Sequence, residues 1–152
     1  MTELILLRHG QAVDKAPTHA DADRDLTTRG EEQARAAGRA LAALGLEPDV
    51  VLASPKIRAW RTATLACDVL AADPVEHLPL VGLDREEALL AAGLGERVML
   101  VGHDPDLSQV VHDLTGARVR MRKGGVAILT LDGHRATLAA LLRPAELERI
   151  GG

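Results

Sequence analysis

The sequence predicts an α/β fold: a three-layer α/β/α sandwich with a mixed, mainly parallel sheet and a C-terminal antiparallel hairpin. Short aliphatic runs, at 4–7 and 98–101, alternate with stretches whose apolar residues recur at helical spacing. Near the C-terminus, two strand-like runs flank Asp132-Gly133, a dipeptide that favours tight hairpin turns. No linker or repeat interrupts this pattern, so we expect one domain over residues 1–152.

Composition and charge exclude several classes of protein. Eighteen basic and twenty-two acidic residues give a formal charge of -4, which argues against a nucleic-acid binder or a binder of anionic membranes. The lone Cys67 is expected to pack in the core, because the sequence that follows lacks the arginine that a thiol phosphatase needs. With no signal peptide and no membrane-spanning stretch, we expect a cytoplasmic protein, and we expect a monomer.

The first predicted strand ends in Arg8, His9 and Gly10. The preceding aliphatic run indicates a buried strand, and the glycine allows a sharp turn. The polar side chains then lie at the carboxyl end of the strand, where ligands bind in open α/β sheets. A guanidinium beside an imidazole suits a phosphoryl group, because Arg binds its oxygens in pairs while His can attack phosphorus. Taken alone, the tripeptide is equally compatible with a solvated strand end.

A polar loop and a helix follow this strand. Residues 11–26 are predicted to form a loop that could be one wall of a pocket. Thr27 or Thr28 is expected to cap the first helix, with Glu31 completing a capping box with Thr28. Gly45 ends this helix.

The second predicted strand, residues 49–53, leads into a helix that is expected to begin at Ser54-Pro55. Ser as the N-cap and Pro at the first helical position form a common helix start. Arg58 then falls in the first turn, near the carboxyl end of the strand. From this spacing alone, Arg58 could contact a phosphate or face solvent.

The pattern of the first strand recurs when residues 98–101 end in Gly102 and His103. Asp104 is predicted to cap the next helix and Pro105 to open it. Because an anionic Asp104 would repel a phosphate, we expect its carboxylate to turn back onto the helix amides.

Three arginines precede the C-terminal hairpin. Arg118, Arg120 and Arg122 alternate through a segment predicted to be extended, so they would share one face. A solvated edge is the preferred interpretation of this face. A turn at residues 123–125 then leads into the hairpin.

The predicted strand ends bring Arg8, His9, Arg58 and His103 to the same edge of the sheet. Two histidines and two arginines at close range would repel each other unless an anion lay between them. This favours a phosphate site over a metal site, because guanidinium groups disfavour a cation and no paired histidine spacing occurs. We therefore expect no metal and no organic cofactor.

The motifs resemble those of the histidine phosphatase superfamily, also called the phosphoglycerate mutase-like fold. The resemblance covers nearly the whole chain and rests on Leu7-Arg8-His9-Gly10, Leu26-Thr27 with Gly30, Ser54-Pro55 with Arg58-Ala59 and Thr62-Ala63, and Gly102-His103. The small size and the sequences around Asp104, Lys123 and Arg143 are similar to SixA-type phosphohistidine phosphatases. Those proteins lack the large lid of the mutases, so the resemblance implies an open site.

The resemblance also implies roles for individual residues. His9 would be the nucleophile, with a hydrogen bond to its other ring nitrogen fixing the tautomer, and Arg8 and Arg58 would hold the phosphoryl oxygens. A protonated His103 would add a further donor as charge develops. Asp104 is counted with the substrate-binding residues. Water would hydrolyse the phosphohistidine intermediate without any cofactor.

Two departures from the family pattern leave details open. Arg61 stands where glutamine is usual, and it either extends a positive rim or faces solvent. Many members with phosphoester substrates carry a carboxylic acid that protonates the leaving oxygen. Asp84 lies in roughly the right part of the chain, but the acidic first turn of a helix is the preferred interpretation. The role of Lys123 is also open.

Three functions are compatible with these residues and with the resemblance. The leading hypothesis is removal of phosphate from phosphohistidine on a protein of the histidine phosphotransfer type. The alternative enzyme is a phosphomonoesterase for small phosphate esters, which would require Asp84 or Glu86 as a working acid. A non-catalytic phosphate-binding module is the third, although binding alone needs no nucleophile such as His9.

Overall fold

The computed structural model describes residues 2–152, which form one six-stranded sheet with helices on both faces and so confirm the predicted fold class. The strands are β1 (Thr2–Arg8), β2 (Val50–Ala53), β3 (Pro74–Glu76), β4 (Arg97–Gly102), β5 (Val126–Asp132) and β6 (Arg135–Leu142). The helices are α1 (Thr28–Ala43), α2 (Ile57–Leu70), α3 (Arg85–Ala92), α4 (Asp106–Thr115) and α5 (Pro144–Gly151). Within the described residues, no helix combines the length and apolar character needed to span a bilayer.

The sheet is mixed, as predicted, with strand order β3-β2-β4-β1-β5-β6. The first four strands in that order are parallel to one another, whereas β5 and β6 form an antiparallel hairpin that pairs with β1. The hairpin turns at Gly133-His134, one residue later than the predicted Asp132-Gly133, and Gly133 adopts a φ of 63° that favours glycine. β1 therefore lies between two neighbours, and its carboxyl end opens onto the edge of the sheet that also receives β2 and β4.

The side chains of β1 serve two cores. Leu4 and Leu6 pack with α3 and α4 on one face, whereas Ile5 and Leu7 pack with α1, α2 and α5 on the other. All four are fully buried, and burial of each such side chain is worth about 1.5–3 kcal/mol. Cys67 is buried in the second core, as expected.

The predicted N-cap of α1 is confirmed, but its expected capping box is not formed. Thr27 is the N-cap of α1, and its Oγ1 accepts a hydrogen bond from Gly30 N at 3.1 Å. Glu31 completes no capping box with Thr28, because with Thr27 as the N-cap the third helical residue is Gly30. The Glu31 carboxylate binds Arg61 instead.

The helix expected at Ser54-Pro55 begins only at Ile57, with Lys56 as the N-cap. The Ser54 hydroxyl is instead 2.7 Å from His103 Nε2. A contact across 49 residues of sequence has overridden the local capping preference.

Residues 144–151 form α5, an element that the sequence analysis did not predict. Pro144 occupies its first turn, and the Glu146 carboxylate accepts a hydrogen bond from Arg143 N at 3.0 Å. Leu147 is fully buried, and Glu148 pairs with Arg29 of α1 at 2.6 Å. Helix α5 therefore covers α1 and completes the second core.

Candidate active site

The carboxyl ends of β1, β2 and β4 bring together the side chains that the sequence placed at one edge of the sheet. His9 follows β1, Arg58 lies in the first turn of α2, and His103 follows β4. The ring centroids of His9 and His103 are 5.4 Å apart. These three side chains are buried, with 6–8% of each residue exposed. Arg8, at the end of β1, is half-buried beside them.

Close backbone packing fixes the turn that carries His9. A Cβ on Gly10 would lie 2.5 Å from Gly30 O, so only glycine allows this approach of the turn to the start of α1. Gly10 N donates a hydrogen bond to Thr62 Oγ1 at 3.0 Å, and the Thr62 hydroxyl donates to Arg58 O at 2.7 Å. The turn after β1 is therefore connected directly to the first turns of α2.

A second connection comes from the segment before β5. Gly124 N donates to the carbonyl oxygens of Arg8 and His9, at 3.1 and 2.9 Å. Arg8 Nη1 donates to Met121 O at 2.8 Å. The end of β1 is thus anchored on both sides.

His9 has the electronic form that a nucleophile requires. Its Nδ1 is 2.7 Å from Gly10 O, and a carbonyl oxygen can only accept, so Nδ1 carries the hydrogen and Nε2 keeps its lone pair. Burial, reinforced by the positive charges of Arg58 and Arg8, lowers the pKa of His9 to about 4. The imidazole is therefore neutral near pH 7.

Burial also favours the neutral imidazole at His103, whereas the sequence analysis expects a protonated ring as charge develops on a phosphate. Burial, reinforced by the positive charges of Arg58 and Lys56, lowers the pKa of His103 to about 3. Ser54 Oγ lies 2.7 Å from His103 Nε2 and accepts from Lys56 N at 3.3 Å. With the hydroxyl hydrogen directed at Nε2, the ring hydrogen lies on Nδ1. A neutral His103 can still donate one hydrogen bond.

Two buried donors at this edge have no hydrogen-bond partner among the described residues. They are Arg8 Nε and His103 Nδ1. Leaving a buried donor unpaired costs about 1–3 kcal/mol, so such atoms call for an explanation. The oxygens of a phosphoryl group would accept from both.

Arg58 is held by Asp21, a residue to which the sequence analysis gave no role. Arg58 Nη1 donates to Asp21 O at 2.8 Å, and Nη2 donates to Asp21 Oδ2 at 3.0 Å. The same carboxylate lies 3.1 Å from Arg24 and 3.5 Å from Lys56. Hydrogen bonds from Arg24 and Arg58 hold the pKa of Asp21 well below its usual range. Residues 11–26 therefore form one wall of the site, as predicted.

Arg61 neither extends a positive rim nor faces solvent alone, so both alternatives are wrong. Its Nη1 binds Asp25 Oδ1 at 2.8 Å, and its Nη2 binds Glu31 Oε2 at 2.6 Å. The Arg61 guanidinium thus joins residues 11–26, which we call the wall loop, to α1.

The two acidic candidates make local contacts with helices. Asp104 Oδ1 and Oδ2 accept from Ser108 N and Ser108 Oγ at 2.9 and 2.6 Å, as expected, although Pro105 rather than Asp104 is the N-cap of α4. Asp84 Oδ1 accepts from Glu87 N at 2.9 Å and caps α3. Substrate contact by Asp104 and proton donation by Asp84 stay predictions.

The cluster of His9, Arg8, Arg58 and His103 is separate from a large cavity and contains no group of metal ligands. A cavity of about 680 Å³ lies near the opposite edge of the sheet, between Thr2, α3 and the β5–β6 turn, and none of the four clustered residues lines it. Within residues 2–152, no group of three or more His, Cys, Asp or Glu side chains is placed to hold a metal ion. The chemistry belongs to the imidazoles and guanidiniums at the carboxyl edge.

A neutral, oriented imidazole beside fixed cationic donors defines a site suited to phosphoryl groups. The chain belongs to the histidine phosphatase superfamily, because the family model for branch 1 matches residues 4–81. An uncharacterised protein of Picosynechococcus sp. is 35% identical over 135 residues, or 82% of each chain. A 2,3-bisphosphoglycerate-dependent phosphoglycerate mutase of Thermobifida fusca is 47% identical over 70 residues, which are 45% of this chain and 28% of that protein.

Solved structures extend the likeness to the whole fold. The protein histidine phosphatase SixA complexed with tungstate superposes with a TM-score of 0.85 at 25% identity, covering 96% of this chain and 99% of that one. A proposed phosphohistidine phosphatase SixA from Agrobacterium tumefaciens gives a TM-score of 0.83 at 26% identity, covering 94% and 98%.

Proposed function

We propose that the chain is a phosphohistidine phosphatase that acts on a phosphorylated protein of the histidine phosphotransfer type. The observation that carries the proposal is His9, a buried neutral imidazole with Nε2 free, set beside donors that lack partners. The likeness to SixA structures supports the same substrate class.

The proposed reaction has two displacements at phosphorus. The Nε2 lone pair of His9 forms a bond to phosphorus while the P–N bond of the substrate breaks, and the departing imidazole takes a proton from solvent. Water then attacks the phosphate on His9, which releases inorganic phosphate and restores the free ring. Arg8, Arg58 and His103 would donate to the oxygens on which charge develops.

The leaving group favours phosphohistidine over alkyl phosphates. An alkoxide has a conjugate acid about as weak as water, with a pKa of roughly 16, so it needs protonation as the bond breaks. An imidazole, with an unperturbed pKa of about 6.5, takes up a proton near neutral pH and departs without a strong enzymic acid. The hydrogen bonds that Asp84 and Asp104 accept from helix amides are consistent with a reaction that uses neither as an acid.

Access to the edge of the sheet also supports a protein substrate. The connections after β2 and β4 are short, at residues 54–56 and 103–105. The longer connections that adjoin the cluster are the wall loop and residues 116–125, which lead into β5. An enzyme for a small metabolite usually closes over its substrate, whereas a phosphorylated side chain on a protein needs an open approach.

A turnover panel tests the proposal. The purified protein should hydrolyse a phosphohistidine protein, phosphoramidate and activated aryl phosphates, and should hydrolyse simple sugar phosphates far more slowly. His9→Ala should abolish turnover, while His134→Ala, at the exposed β5–β6 turn, should not. Quenching of the parent enzyme in alkaline denaturant should trap a phosphate on His9 that is stable in alkali and labile in acid. Full activity in His9→Ala would remove His9 as the nucleophile.

The second candidate is a phosphomonoesterase for small esters, which the identity to a phosphoglycerate mutase favours. This reaction would need a working acid near the leaving oxygen. Efficient hydrolysis of an unactivated sugar phosphate that is lost in Asp84→Asn would establish it. Unchanged phosphohistidine turnover in the same variant would support the first candidate.

A further inference from the structure

Four exposed cations line the segment between α4 and β5. We call Arg118, Arg120, Arg122 and Lys123 the cationic strip. The residues between the arginines point the other way, since Val119 is half-buried against the first core and Met121 is 1% exposed. This alternation is that of extended chain, so Arg118 and Arg122 lie about 13 Å apart on one face.

The cationic strip leads to the candidate active site. Met121 lies in the middle of the strip. Its carbonyl oxygen accepts a hydrogen bond from Arg8 Nη1 at 2.8 Å, and its backbone N–H donates to Ser108 Oγ at 3.1 Å. Lys123 precedes Gly124, whose N–H binds the carbonyl oxygens of Arg8 and His9. The charge of Lys123 also contributes to the lowered pKa of His9. One end of the strip therefore adjoins the catalytic cluster.

The charges of the strip are not neutralised within the protein. Eight other basic side chains form ion pairs, but no described residue of the chain pairs with a member of the strip. Asp104, whose charge acts on Arg8, has both carboxylate oxygens bound by Ser108. The chain as a whole carries a formal charge of -4, so the strip is positive on a protein that is otherwise acidic.

We propose that the cationic strip is a docking surface for an acidic segment or face of the phosphorylated protein, next to the side chain that carries the phosphate. The proposal rests on the proposed function, because it assumes a protein substrate. Charge complementarity is the argument: three alternating guanidiniums can each bind a carboxylate in bidentate geometry along one face. Such contacts act mainly on the rate of encounter, and they weaken as salt rises.

Nucleic acid is the other polyanion that such a surface could hold. The net charge of -4 disfavours it, because a long polyanion also meets the repulsion of the acidic surface outside the strip. One end of the strip adjoins a site that is suited to a single phosphoryl group. This position also favours a phosphorylated protein over a nucleic acid. Binding of an oligonucleotide is therefore an outcome of the test.

The test uses two histidine peptides, phosphorylated with phosphoramidate, that differ only in acidic or neutral residues beside the phosphohistidine. The strip variant is Arg118→Gln/Arg120→Gln/Arg122→Gln. The matched control, Arg35→Gln/Arg135→Gln/Arg149→Gln, removes three exposed arginines that lie outside the strip. For the parent and the control we expect kcat/KM for the acidic peptide to exceed that for the neutral peptide by about tenfold or more at low salt. The preference should disappear in the strip variant and at high salt, while phosphoramidate turnover is unchanged.

Each result decides the proposal. Equal kcat/KM for both peptides in the parent, or an unchanged preference in the strip variant, would overturn it. If phosphoramidate is hydrolysed and neither peptide is, the proposed function fails. The fluorescence anisotropy of a labelled, unphosphorylated acidic peptide then tests docking. Weaker binding to the strip variant than to the parent would support the docking surface, and equal binding would contradict it. Tighter binding of a single-stranded oligonucleotide than of the acidic peptide, lost in the strip variant, would assign the strip to nucleic acid.

Discussion

Asp21 places a negative charge beside the arginine that is expected to hold the substrate phosphate. Its carboxylate binds Arg58 Nη2 at 3.0 Å and stays ionised because its pKa is held down by Arg24 and Arg58. An incoming phosphoryl group therefore approaches a guanidinium that is already partly neutralised. The contact orients Arg58, but it opposes the binding of an anion.

Removing this charge should strengthen anion binding. We expect Asp21→Asn, which keeps a hydrogen-bond acceptor, to lower the Ki of inorganic phosphate about fivefold, as expected for loss of one repulsive charge of about 1 kcal/mol. Inhibition of aryl phosphate turnover measures Ki. Asp23→Asn, at an exposed position in the same turn, is the control and should leave Ki unchanged. An unchanged Ki in Asp21→Asn would show that the carboxylate does not oppose phosphate.

At this scale, the sequence predicts which residues gather but not their protonation or partners. Arg8, His9, Arg58 and His103 follow from strand ends and helix starts, which are local patterns. The neutral state of His103 depends on burial and on nearby cations, which only the folded chain supplies. Asp21 lies in a loop without periodicity, so no local pattern indicated its contact with Arg58.

Among the elements, the turn after β1 and the start of α1 are in close backbone contact at Gly10 and Gly30. A Cβ on Gly30 would lie 2.0 Å from Gln11 O, which is backbone and cannot move away alone. We expect Gly30→Ala to lower the free energy of unfolding by about 1–3 kcal/mol and to reduce kcat, because the turn carrying His9 must shift. Denaturant unfolding and steady-state kinetics measure the two effects.

Thr28→Ala, exposed at the start of the same helix, is the control for this variant. It should change stability by no more than about 0.5 kcal/mol. Parent-like stability and kcat in Gly30→Ala would mean that the turn tolerates a displaced α1.

The elements themselves follow from the sequence more reliably than their ends do. Aliphatic runs and helical periodicity predict the β/α alternation and the hairpin, because these patterns reflect burial on one face or two. The start at Ser54-Pro55 is wrong because His103, far along the chain, takes the Ser54 hydroxyl. Helix α5 was not predicted because it is short and has one fully buried side chain, Leu147, so its apolar periodicity is weak. Pro144 and Glu146 are nevertheless typical of a helix start.

For the molecule as a whole, two buried neutral histidines predict a loss of stability in acid. The pKa of His9 is lowered to about 4 and that of His103 to about 3, from the usual value of 6.5. Below pH 6.5 the unfolded chain therefore binds protons that the folded protein does not bind. The free energy of unfolding should fall as the pH falls from 6.5 to about 4, by at most about 1.4 kcal/mol per pH unit for each histidine.

Guanidinium chloride unfolding between pH 7.5 and pH 4.5 measures this loss. His103→Gln should show a shallower fall than the parent, because one of the two histidines no longer contributes to proton uptake on unfolding. His134→Gln, which removes an exposed histidine, should follow the parent. Identical slopes for the parent and His103→Gln would contradict the assignment of a buried neutral ring.

The central position of β1 in the sheet determines when this strand can fold during synthesis. β1 pairs only with β4, which begins at Arg97, and with β5, which begins at Val126. During synthesis, the strand that carries Arg8 must wait until most of the chain has emerged before it gains a neighbour on either side. Until then its aliphatic run at residues 4–7 is exposed to aggregation, and nascent chains released before β5 should depend on chaperones rather than fold.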